Sequence, residues 1–168
     1  MRFRAVAILV ALSVAGTLLW ANGPHEAFSG RILFSAQRFP VSAKSPASST
    51  AALRKQAATS FQENKASKNW KIYFAAFLKS KLAGTEYTLK IYAMDRGKNT
   101  LLATLPQFTD SRGQDAILSA LTLERKEFGV NRELLIDIEA QGKVLAAGRL
   151  KILGEGEKYS GKVNFNEN

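Results

Sequence analysis

From Asn69 onward, apolar side chains fall at every second position of the chain. Trp70, Ile72, Phe74, Ala76 and Leu78 alternate with Lys71, Tyr73, Ala75, Phe77 and Lys79. Side chains of an extended backbone point alternately to opposite faces, so this spacing commits the segment to a strand with one buried face. The same rhythm returns in Tyr87, Leu89, Ile91 and Ala93, and again in Leu134, Ile136 and Ile138, which are separated by Leu135 and Asp137 and flanked by Glu133 and Glu139. Between these runs, residues 82–85, 95–99, 110–113, 128–131 and 141–142 carry the Gly, Asp and Asn that tight reversals use.

Strands are therefore expected over residues 31–39, 69–79, 87–94, 100–108, 116–125, 133–140 and 143–153. Pro106 places the fourth of them at a sheet edge, where a missing N–H does least harm. In the last, Val144, Ala146, Gly148, Leu150 and Ile152 are expected to face inward. About seven strands with reversals at roughly ten-residue spacing predict an all-β fold, an antiparallel β-sandwich of immunoglobulin-like type. That label is an architectural analogy and implies no function.

The N-terminus obeys a different rule. Arg2 and Arg4 precede residues 5–21 (AVAILVALSVAGTLLWA), which contain no charge. A short basic region followed by an apolar helix is the form of an export signal. Crossing a hydrocarbon core takes about 20 residues, so a cleaved signal peptide is the default reading of residues 1–23. Pro24, directly after Ala21-Asn22-Gly23, is a poor neighbour for cleavage, and a retained membrane anchor stays open. Either way the rest of the chain is expected outside the cytoplasm, periplasmic or extracellular, touching a membrane only through residues 5–21 if they are kept. With no cysteine, the exported part must be held by its apolar core rather than by disulfides.

The exported part divides into a linker at residues 24–30, a domain at 31–153 and a tail at 154–168. Residues 41–68 are an insertion in the domain. Within it, 41–50 (VSAKSPASST) form a loop, and 51–64 carry Leu53, Ala57, Ala58 and Phe61 at helical spacing behind caps at Ser49 or Thr50. The tail alternates polar and apolar over residues 162–166 (KVNFN), the pattern of a short edge strand or a docking segment.

Charge is uneven along the chain. The sequence carries a formal net charge of +10, and residues 31–90 hold eleven basic residues against Glu63 and Glu86, whereas residues 91–168 hold eleven of each sign. Basicity confined to one half marks a surface for an anionic partner, here an anionic envelope polymer or another envelope protein; nucleic acid is not an expected partner. The clearest binding candidates are Lys68, Lys71, Tyr73, Phe77, Lys79 and Lys81, because aromatic rings between lysines can stack while the ammonium groups meet anions. Burial of Tyr73 and Phe77 beneath the helical insertion is the competing reading.

Catalysis finds no support. His25 is the one histidine, read as a linker residue, so neither a zinc site of usual composition nor a histidine-activated nucleophile can be assembled. No phosphate-binding glycine loop or nucleophile elbow is present, and no cofactor is implied. Asp137 and Glu139 share a strand face that is expected to be solvated, where carboxylates keep ordinary acidity. The expected function is that of an exported, non-enzymatic binding domain, with a structural subunit docking by sheet edge or tail as the alternative.

Overall fold

The computed structural model describes residues 23–40, 45–95 and 97–154. The expected signal helix at 5–21 and the alternating segment at 162–166 lie outside the described residues. Within them the chain is mostly β. Its elements are α1 (Pro24–Phe28), β1 (Arg31–Ser35), α2 (Pro46–Gln56), β2 (Ser60–Gln62), β3 (Asn69–Phe77), β4 (Glu86–Asp95), β5 (Lys98–Phe108), β6 (Ala116–Glu124), α3 (Arg125–Phe128), β7 (Arg132–Ala140) and β8 (Lys143–Leu153). No helix among the described residues is long and apolar enough to cross a membrane.

The strands form one curled, mixed sheet in the order β5-β4-β7-β8-β1-β3-β6, with β2 also pairing β8. The two hairpins read from the Gly-containing turns, β4–β5 and β7–β8, are antiparallel. The all-antiparallel expectation is corrected at two places: β1 and β2 both run parallel to β8. Neither is joined to β8 by a tight turn, so no connection forces an antiparallel approach. Contact between β1 and β8 is slight, with Arg31 opposite Ala147 as the single registered pair. That junction divides the sheet into a β5-β4-β7-β8 side and a β1-β3-β6 side.

Curling brings the inner faces of both sides together. Trp70, Ile72 and Phe74 of β3, Leu89 and Ile91 of β4, Leu121 of β6 and Ile136 of β7 share one buried cluster. The expected inner face at 70–78 is met, since Trp70, Ile72, Phe74, Ala76 and Leu78 are all buried, but from Phe74 on the alternation is lost because Ala75 and Phe77 are buried on the other face as well. In β8 the expectation fails at its start. A register shift opposite Ile138 and Glu139 skips one residue, turning Leu145 inward and leaving Val144 43% exposed.

Two stretches expected to be irregular are ordered. Residues 24–30, read as a linker, form α1 and a turn, with Phe28 buried. The insertion helix starts earlier than its spacing suggests because Ser45 caps it: the Ser45 hydroxyl accepts from Ser48 N–H, the Ser48 side chain returns the bond to the Ser45 backbone, and Pro46 fits the first turn. It ends at Gln56, and Phe61 belongs to β2, whose pairing with β8 buries its ring. A second, smaller cluster of Phe28, Phe39, Leu53, Ala75 and Phe77 packs α1 and α2 onto the outer face of β1 and β3.

Candidate functional site

Tyr73 stands on the outer face of β3, opposite Ser35 of β1 and Ala120 of β6. Lys71 lies two residues earlier on the same face, with its Nζ 5.8 Å from the centre of the Tyr73 ring. A second cation comes from the loop after β1, where Arg38 Cζ is 6.0 Å from the same centre. Both stand near the outer limit of cation–π attraction. Burial would push the Tyr73 hydroxyl up, but hydrogen bonding and charge from Arg38 and Lys71 outweigh it, and its pKa lies below the ordinary 10.0.

The loop carrying Arg38 is fixed at several points. Gln37 N–H donates to the Ser35 hydroxyl at 3.0 Å. The Gln56 side-chain amide, at the end of α2, donates to the Gln37 and Arg38 carbonyls at 3.0 and 2.7 Å. Phe39, next in the chain, is buried in the smaller cluster. Arg38 itself remains exposed, so its backbone is anchored while its side chain stands beside Tyr73 within reach of solvent.

Beside this trio runs an open groove of about 380 Å³, walled by Arg38, Phe39 and Tyr73 and by Leu118, Ser119 and Ala120 of β6. Its apolar surface includes Leu118, which is 49% exposed. The groove thus offers an apolar floor beneath a cationic rim, suited to a partner carrying a negative charge next to an apolar group.

The six residues singled out from the sequence do not converge. Tyr73 lines the groove, and Lys71 stands beside its ring. Phe77 is corrected: it is 6% exposed and packs against Phe28 with ring centres 5.5 Å apart, so α1 takes the ring that was expected to face a ligand. Lys68 occupies the turn ahead of β3 with φ of 52°, and its carbonyl accepts from Arg125 N–H. Lys79 and Lys81 are exposed beyond the opposite end of β3. Arg38 was missed because no periodicity reports a residue that reaches a strand from a neighbouring loop. Part of the basic half does gather in space. Arg38, Arg54 and Lys71 lie on the side where α1 and α2 cover the β1-β3-β6 face, with Arg54 Cζ 5.6 Å from the Phe28 ring centre.

His25 is not a linker residue. It sits in α1 with its Nε2 2.9 Å from the Leu78 carbonyl, fastening the helix to the end of β3. Glu63, a buried acid, pairs with Arg125 at 3.2 Å. Among the described residues no group of His, Asp and Glu could hold a metal ion.

The outer face of β4 and β7 departs from expectation too. Asp137 and Glu139 are half-buried rather than solvated, and Lys90 donates to Glu139 at 2.6 Å. Burial, then the Glu139 charge, raises the Asp137 pKa above its ordinary 3.8, only partly offset by Lys90. A carboxyl whose folded pKa is raised holds its proton more tightly when folded, so stability declines as pH rises from near 3.8 through the folded value. Asp137→Asn should therefore raise the thermal midpoint at pH 7 by about 1 to 2 °C, with the gain vanishing at pH 3; calorimetry at the two pH values checks it.

Compared with protein-family models, curated proteins and solved structures, the chain matches none of them.

Proposed function

We propose that this chain is an exported, non-catalytic binding domain of the bacterial cell envelope, meeting an anionic envelope polymer or an envelope protein through its basic N-terminal half. The observation that carries this reading is the pairing of Arg38 and Lys71 around Tyr73 above an apolar groove. Export rests on Arg2, Arg4 and the uncharged run at 5–21. The absence of a cysteine and the single histidine favour binding over catalysis. An immunoglobulin-like sandwich is favoured by the single registered pair that joins the two sides of the sheet.

A second reading, a structural subunit that docks by its sheet edge, draws on β6, which has no partner strand on the side away from β3 among the described residues.

The first reading is tested on immobilised heparin, a polyanion of known charge. Arg38→Ser with Lys71→Ser should lower the salt needed for elution and reduce the slope of log affinity against log salt by about 2, near 0.9 for each released counterion. Lys68→Ser with Lys81→Ser, charge-matched but outside the groove, should elute close to the unaltered chain. Elution of the unaltered chain at the salt of a neutral protein would sink the reading.

A further inference from the structure

The two end strands of the sheet are not equivalent. β5 carries features that discourage strand pairing: Pro106 within it, Lys98 at its start, and a register shift in its ladder with β4. β6 carries none of these. Its nine residues (AILSALTLE) contain no proline and no charge before Glu124, and its ladder with β3 runs without a shift from Asn69 opposite Glu124 to Phe77 opposite Ala116. A straight, uncharged edge of this length leaves backbone N–H and C=O groups open to another strand.

The groove described above lies along this edge, and the ladder sets what sits beside it. On the outer face Leu118 is level with Ala75, Ala120 with Tyr73, and Thr122 with Lys71. A strand added antiparallel to β6 would place every second side chain on that face. The position level with Thr122 would approach the Lys71 end of the rim, and the next two on the same face would lie over Ala120 and Leu118. Side chains suited to these places are an acid followed by two apolar groups, each two residues apart. Charge complementarity selects the occupant: Arg38 lines the groove, Lys71 stands beside the Tyr73 ring that walls it, and β6 offers no competing charge before Glu124.

We infer that β6 is a strand acceptor, and that its ligand is an extended acidic segment of another protein, with the pattern acid-x-apolar-x-apolar, whose backbone pairs with β6 while its side chains enter the Arg38–Tyr73–Leu118 groove. This rests on the proposed binding function and narrows it from anionic partners in general to a polypeptide.

The probe is a synthetic capped peptide, Ser-Glu-Ser-Val-Ser-Phe-Ser, titrated against the full chain by isothermal calorimetry, with backbone amide exchange read by NMR. Binding should slow exchange at amides within β6. Replacing Glu in the peptide by Lys should weaken binding at least tenfold, as should Leu118→Ser in the protein. A peptide with alternate backbone nitrogens methylated, its charge unchanged, should not bind. Equal binding by the methylated peptide would overturn strand addition while leaving the heparin result, and the broader reading, intact. Two further outcomes would also overturn it. If amides of β6 are slow in the chain alone and quicken on removal of residues 155–168, the occupant is this chain's own tail. If their protection grows with protein concentration, it is a second copy.

Discussion

Trp70→Ala should cost the fold about 4 kcal/mol, the loss expected when a large aromatic is cut from a packed core. Trp70 is 1% exposed and lies on the inner face of β3, level with Leu123 of β6. Its ring also reaches the other side of the sheet: Nε1–H donates to the Leu153 carbonyl at 3.1 Å, near the end of β8. Truncation therefore removes buried surface and one of the two hydrogen bonds to that carbonyl, which also accepts from Glu63 N–H at 2.9 Å, at a place where the two sides meet through few backbone bonds. Trp70→Phe separates the parts, because it keeps most of the ring and deletes the N–H, and should cost about 1 to 2 kcal/mol. Urea unfolding followed by circular dichroism measures both. A Trp70→Ala loss below about 1 kcal/mol would mean that the curl of the sheet does not depend on this contact.

What the sequence disclosed follows from what kind of information each feature needs. Period-two alternation is local, so β3, β4 and β7 are legible with their buried faces. Pairing partners are not local. Nothing in residues 31–35 or 60–62 announces that both strands will lie parallel to β8, because that is decided by which inner faces complete the shared core. The outward turn of Val144 is not legible in its own strand, since a bulge is a property of two strands together. The linker assigned to 24–30 failed for a related reason: five residues of helix have too few turns to show a period, and α1 is held by Phe28 on Phe77 and by His25 on the Leu78 carbonyl rather than by its own pattern.

The candidate site was half legible on the same grounds. Lys71 and Tyr73 share a strand face by parity alone. Arg38 joins them from a loop that Gln56, nearly twenty positions later, helps to hold through the Gln37 and Arg38 carbonyls. Charge asymmetry supplied the one usable hint, placing excess cations in the half that forms this face. It could not tell Lys79 and Lys81, at the far end of the strand, from residues beside the ring.

Gly148→Ala should destabilise the chain by about 3 kcal/mol, against the usual trend in which Ala in place of Gly inside a strand gains roughly 0.5 to 1 kcal/mol. The sign is set by space, not backbone conformation. A Cβ at Gly148 would stand 2.6 Å from the Ile32 carbonyl oxygen, 2.7 Å from Phe34 Cε2 and 2.9 Å from Ile32 Cβ. A side chain could turn away, but the Ile32 oxygen belongs to the backbone of β1, so relief requires β1 and β8 to separate. Their junction has only one registered pair, Arg31 with Ala147, adjacent to Gly148. Strain there falls on the weakest seam of the sheet. Because the loop holding Arg38 continues directly from β1, the same change should also weaken heparin retention in the fraction that remains folded. Gly23→Ala is the control: its added Cβ would meet Pro46 Cβ at 3.8 Å, an ordinary contact, and should shift stability by less than about 0.5 kcal/mol. Thermal midpoints of the two variants decide the matter, with Gly148→Ala expected roughly 10 °C lower. Equal midpoints would show that β1 and β8 are not so closely opposed, and that the two sides of the sheet are held by their shared core alone.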